Sequence, residues 1–96
     1  MQRCYLVCYD ICDAKRLRFV FRTMKGYGHH WQYSVFFCKL RRIDRIRMQS
    51  ELEDGINQKE DKIMIIDLGA DEENARKAVT FLGPSLPEIN NDILVI

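Results

Sequence analysis

Asp10 ends a run, Tyr5 to Asp10 (YLVCYD), that is apolar on both faces until it reaches this carboxylate. A loop and a basic segment follow at once (ICDAKRLRFVFRTMK), bringing Arg16 and Arg18 within a few residues of the acid. A hard oxygen ligand at the mouth of a buried strand, beside a cluster of arginines, is a place to hold a metal ion and a phosphate. Taken by itself, Asp10 is equally well read as a strand-end residue that starts a turn.

Charge is divided unevenly along the chain. Residues 1–48 carry eleven Lys/Arg against three Asp/Glu, a net of +8, and residues 49–96 carry four against eleven, a net of −7. The formal total of +1 hides this division. It suggests a basic face that meets a polyanion and an acidic remainder that is solvated or meets a basic partner; a salt-bridged surface with no ligand is the plainer alternative. Lys15, Arg18, Arg22, Lys25, Arg41, Arg42, Arg45 and Arg47 are numerous and spread out. They suit the backbone of a long nucleic acid rather than one phosphate, and carry no sequence preference. Tyr9, Tyr27 and Trp31 have rings that can stack on bases, although aromatics in strands more often pack in a core. His29 and His30 point to opposite sides of a strand and do not make a ligand pair.

Four cysteines, Cys4, Cys8, Cys12 and Cys38, include no CxxC pair. On a strand, Cys4 and Cys8 lie about 13 Å apart, too far to share one ion. They read as small core hydrophobes. No apolar run approaches the roughly 18 residues of a membrane span and no secretory signal is evident, so a soluble, cytoplasmic protein is expected.

The elements that position these residues follow from periodicity. Residues 4–10 read as a central strand covered on both sides. Asp13 can cap a helix whose Leu17, Val20, Phe21 and Met24 form a core stripe, with Lys15, Arg18, Arg22 and Lys25 opposite and Gly26 or Gly28 as the stop. His29 to Leu40 reads as one strand, or as two short strands broken near Tyr33 and Ser34. Arg41 to Ile56 is helical by composition; Met48, Leu52 and Ile56 share a face, and Ile43 and Ile46 point elsewhere, toward a partner. Lys62 to Leu68 is again apolar on both faces and reads as a second central strand. The stretch around Ala75, Ala78, Val79 and Leu82 suits a helix or, over Val79 to Leu82, a strand, and Ile93 to Ile96 is a short terminal strand. One domain spans residues 1–96, with its core in 4–68 and an extension, 69–96, available for dimer or partner contacts. The order predicts an α+β, ferredoxin-like βαββαβ fold, an antiparallel sheet with its helices on one face. A chain this short buries only about two-thirds of its unfolded surface. Its second apolar sheet face then predicts a two-fold, sheet-to-sheet homodimer.

With YDI, a helix carrying KRLR, the GYG stop and QYSVF in this order, the chain resembles the second CRISPR-associated protein family, the small dimeric partner of the integrase that captures new spacers. The similarity runs from Tyr5 to about Leu68. It implies a ferredoxin-like homodimer in which Asp10 of each subunit faces its counterpart across the axis and binds magnesium, or manganese in its place. It also implies an endonuclease on single-stranded RNA or duplex DNA, work with the CRISPR integrase in spacer acquisition, and Tyr9, Arg16, Arg18, Ser34 and Phe36 near the active cleft. A single Asp is a poor magnesium site, but two converging carboxylates are sufficient. The ion would activate water, and Arg16 or Arg18 would clamp the phosphate in bidentate fashion. A non-catalytic DNA-binding scaffold in the integrase complex is the alternative. An acylphosphatase-like hydrolase of the same fold needs a glycine-rich loop after its first strand, and ICDAKR has no glycine.

Overall fold

A computed structural model describes residues 1–84 of the 96. Strand β1 (Gln2–Asp10) leads to helix α1 (Ala14–Lys25), strands β2 (His29–Gln32) and β3 (Val35–Arg41), helix α2 (Arg42–Gly55), strand β4 (Lys62–Gly69) and a short helix α3 (Glu72–Lys77). The strands form one antiparallel sheet in the order β2-β3-β1-β4. This is the expected ferredoxin-like arrangement.

Local chemistry sets the boundaries. Asp13 accepts hydrogen bonds from the backbone N–H of Lys15 and Arg16, both 3.0 Å, which satisfies two of the free donors at the start of α1. Gly26 closes that helix. Strand β3 runs into α2 without a loop, and Arg41 there binds Asp44 through its side chain at 2.8 Å. Asp71 caps α3 through the N–H groups of Glu73 and Asn74.

Alternation along β1 and β3 separates two sides of the sheet. Tyr5, Val7, Tyr9, Phe36, Cys38 and Leu40 face Val20 and Met24 of α1 and Met48 and Leu52 of α2, and these ten residues make the main core. Cys4 and Phe37 face the other way and meet Ala75 of α3, with Leu6, Trp31 and Leu68 around them. Trp31 stacks on Phe37 at 4.7 Å between centroids, and the Arg76 guanidinium lies 4.7 Å from the Phe37 centroid. The chain therefore covers part of its second sheet face with its own residues after β4, in the stretch where the sequence left helix and strand both open.

Three expectations change. Strand β4 lies at the sheet edge among the described residues, not in its centre; its outer face is apolar yet open, with Met64 54% and Ile66 36% exposed. Leu17 is 40% exposed rather than part of the core stripe, because α1 turns Val20 and Met24 inward and packs Phe19 and Phe21 at the flanks. The third helix lies on the face that α1 and α2 leave open, so the helices are not all on one side. The predicted strand Ile93 to Ile96 lies outside the described residues.

The packing of α1 on α2 depends on Gly55, where a Cβ would collide with the Phe19 ring. Glycine to alanine in a helix ordinarily stabilises by about 0.5–1 kcal/mol. Here Gly55→Ala is expected to destabilise by about 1–3 kcal/mol through overpacking. Chemical denaturation gives the sign directly.

Candidate metal and nucleic-acid site

Asp10 closes β1 on the Cys4, Leu6, Cys8 side of the strand, opposite Lys62 of β4. It is exposed, and its carboxylate has no hydrogen-bond partner among the described residues. Among those residues no group of three His, Cys, Asp or Glu side chains comes together to hold a metal. Among the described residues, one chain thus offers one hard oxygen ligand here.

The neighbours named from the sequence divide between support and surface. Tyr9 is buried on the helix side, its ring 6.3 Å from that of Phe36 and nearly parallel to it, and burial pushes its phenol up to about 12. Phe36 is fully buried against Tyr9, Phe21 and His30. Both rings hold the strand end from behind. The Tyr9 N–H donates to the Ser34 carbonyl at 3.1 Å, which fastens the β2–β3 turn beside the residue that precedes Asp10. Tyr33 in that turn has φ +23°, and its carbonyl accepts from His30 Nε2 at 2.8 Å. His30 is thus packed and bonded, while His29 is exposed.

Arg16 is not available as a clamp. Its Nε donates to Asp61 Oδ2 at 2.6 Å, and its Nη2 donates to Asp61 Oδ1 at 3.2 Å and Glu60 Oε1 at 3.1 Å. Every bidentate edge of a guanidinium uses one of those hydrogens. Sequence reasoning missed Asp61 altogether: one acid in the run KED gives no sign that it will be buried. Its carboxyl is held well below the usual range by the Arg16 hydrogen bonds, then by those from the Asn57 and Cys12 N–H groups, against the cost of burial.

The cations form two groups. Lys15, Arg18, Arg22 and Lys25 are exposed along one face of α1, a stripe about 15 Å long, and none has an acidic partner among the described residues. Lys25 sits 5.4 Å over the Phe21 ring. At the end of β3 and on α2, Arg41 and Arg47 share Asp44, at 2.8 and 3.6 Å. Arg42 is exposed. Arg45 lies over the Tyr5 ring at 5.5 Å with a buried Nε that has no hydrogen-bond partner. It lines an open cleft of about 410 Å³ between α2 and β4, which Asp10 does not border.

Residues 3–76 match the family model described as CRISPR associated protein Cas2. The chain belongs to the Cas2 family. Over 95 residues it is 42% identical to CRISPR-associated endoribonuclease Cas2 1 of Rhodospirillum rubrum, covering 99% of this chain and 92% of that one. It is 36% identical to the Geobacter sulfurreducens CRISPR-associated endoribonuclease Cas2 over the full length of both. Among solved structures it is similar to Streptococcus pyogenes Cas2 crystallised at pH 6.5, with a TM-score of 0.74 and 32% identity over 83% of this chain and 99% of that one. It is also similar to hypothetical protein TT1823 of Thermus thermophilus, with a TM-score of 0.75 and 26% identity over 91% and 100%. No helix among the described residues of this Cas2 chain is long and apolar enough to cross a membrane.

Alkaline stability reads the burial of Tyr9. A phenol whose folded value is raised from 10 to about 12 keeps its proton in the fold after the unfolded chain has lost it. Its contribution is therefore complete below about pH 10 and is lost as pH rises toward 12. Cys38, pushed by burial from 9 to about 12, acts in the same direction. Tyr9→Phe should unfold less steeply between pH 10 and 12 than the parent, followed by circular dichroism.

Proposed function

We propose that this Cas2 protein is a homodimer that binds nucleic acid, carries a magnesium-dependent phosphodiesterase site built on Asp10, and acts with the CRISPR integrase in spacer acquisition. The observation that supports it best is the placement of Asp10. It is an exposed carboxylate without a partner, on the sheet face where Met64 and Ile66 lie open. A second copy laid on that face would cover the apolar side chains and add a second carboxylate.

The donor chemistry fits a hard ion. Cys8, two residues back on the same side, is half-buried, and burial raises its thiol, which keeps it protonated and out of coordination. Oxygen alone remains, and magnesium takes one or two carboxylates while keeping several waters. Asp10 of each copy would hold the ion, which supplies an activated water and charge stabilisation at the phosphate. Arg18, exposed one turn into α1, has the free guanidinium that Arg16 lacks and is assigned a backbone phosphate at the head of the α1 stripe rather than the phosphate at the ion. Lys15, Arg22 and Lys25 continue along the nucleic-acid backbone. Arg41, Arg42, Arg45 and Arg47 extend this basic surface onto α2, weakened where Asp44 neutralises it. Tyr9, Ser34 and Phe36 keep the strand end in place.

The non-catalytic scaffold reading draws on a different observation. The stripe on α1 lies on the helix side of the sheet and Asp10 on the other, so duplex binding and metal binding are separable. Single-stranded RNA and duplex DNA are both substrates to test.

Asp10→Asn should abolish magnesium-dependent cleavage while the protein still sediments at about twice the 11.4 kDa chain mass. Calorimetry with Mn²⁺ should give one ion per two parent chains and none for the variant. Parent-level cleavage by the variant, or a clean monomer, would sink the shared site. Arg18→Ala and Arg22→Ala should each lower the slope of log K against log[salt] on duplex DNA by about one. Arg41→Ala, with Asp44 already on it, should lower it less.

A further inference from the structure

Asp61 is the only buried charged residue among those described. Its two oxygens take four hydrogen bonds. Oδ1 accepts from the Cys12 N–H at 2.9 Å and Arg16 Nη2 at 3.2 Å; Oδ2 accepts from the Asn57 N–H at 2.8 Å and Arg16 Nε at 2.6 Å. The donors come from three places: the β1–α1 loop, the first turn of α1, and the loop between α2 and β4. A further bond, from Cys12 Sγ to the Glu60 carbonyl at 3.0 Å, runs between the same two loops. These loops border the sheet edge where Asp10 faces Lys62, and Cys12 is two residues beyond Asp10.

From this geometry we infer that Arg16 is a positioning residue and not a phosphate contact: with Asp61 it forms an internal brace that fixes the loop after β1, and with it the Asp10 carboxylate. For Arg16 to reach a phosphate it would have to leave a buried carboxylate without its counter-charge, which is the costly way to break such a pair. The Cys12 and Asn57 amides would then be the carboxylate's only donors among the described residues, too few to hold it and the two loops firmly. Arg18, two residues on, turns outward and has no such tie. The brace itself rests on the observed bonds; its effect on cleavage rests on the assignment of Asp10 as the metal ligand. Displacing a catalytic group by about 1 Å costs on the order of 100-fold in rate.

Arg16→Gln removes the charge and the fork. Its salt slope for duplex DNA binding should match the parent, while Arg18→Gln lowers the slope by about one. Amide hydrogen exchange measured without nucleic acid should rise at least tenfold at Cys12 and Asn57, with the centre of β1 unchanged. Mn²⁺ affinity should weaken, and cleavage should fall by about 10- to 100-fold. Arg16→Lys keeps a charge against Asp61 but cannot make the fork; it carries the exchange readout if the Gln variant does not fold, with faster exchange at Cys12 expected. A slope lowered by one in Arg16→Gln, or unchanged Cys12 and Asn57 exchange in a folded variant, would overturn the brace. If Asp10→Asn proves as active as the parent, the nuclease reading fails, and slope and exchange still decide the brace.

Discussion

A buried carboxylate has to be answered, and in this protein the answer shapes one end of the sheet. Asp61 sits at the entrance to β4 and draws in the Arg16 guanidinium and the backbone amides of Cys12 and Asn57. The start of α1, the end of β1 and the approach to β4 are thereby set relative to one another. Hydrophobic packing alone would leave that relation loose, because Ile11 and Ile56 of these loops do pack on the core but apolar contact is non-directional. Charge-assisted hydrogen bonds in a fixed fork do have direction. Asp10 inherits its position from this arrangement on one side and from Tyr9 and the Ser34 carbonyl on the other.

The sheet divides the work of the molecule. Its helix side is sealed by Phe36, Val7, Met24 and Met48, all fully buried, and serves as the platform. Its other side is only partly closed, by Ala75, Trp31 and Phe37, and leaves Met64 and Ile66 in solvent near the edge that ends at Lys62 and Asp10. The proposed chemistry uses that open side, while the proposed nucleic-acid contacts use the outward face of α1. Separation of this kind lets one small domain grip a long polyanion and present a carboxylate without the two interfering. The relatives named as endoribonucleases cover 99% and 100% of this chain.

Much of this was legible in the chain itself. The two-sided apolar run ending at Asp10, the 3.6-residue stripe of Val20 and Met24 with its cations opposite, the break at Tyr33 and Ser34, and the cap at Asp13 all depend on periods and short-range bonds that sequence displays. The order of elements, and with it the ferredoxin-like sheet, followed from them. The exposed state of Lys15, Arg18, Arg22 and Lys25 followed too, since their side of the helix holds nothing apolar.

Tertiary structure alone decided which of two neighbouring arginines is spent. Arg16 and Arg18 are alike in type and both near Asp10 in sequence, yet only Arg16 meets Asp61, 45 residues away along the chain. No local pattern encodes a contact of that span. The same holds for β4, whose apolar residues on both faces looked central because sequence reports polarity and not the number of neighbours; its place beside β1 alone among the described residues is a matter of strand pairing. It holds for α3, which covers part of the second face through Ala75 and Arg76 because β4 delivers it there. Sequence determined what each segment is and which side of it is apolar, through forces acting within a few residues; the fold decided what each side meets, because burial and charge pairing depend on residues that come together only in space.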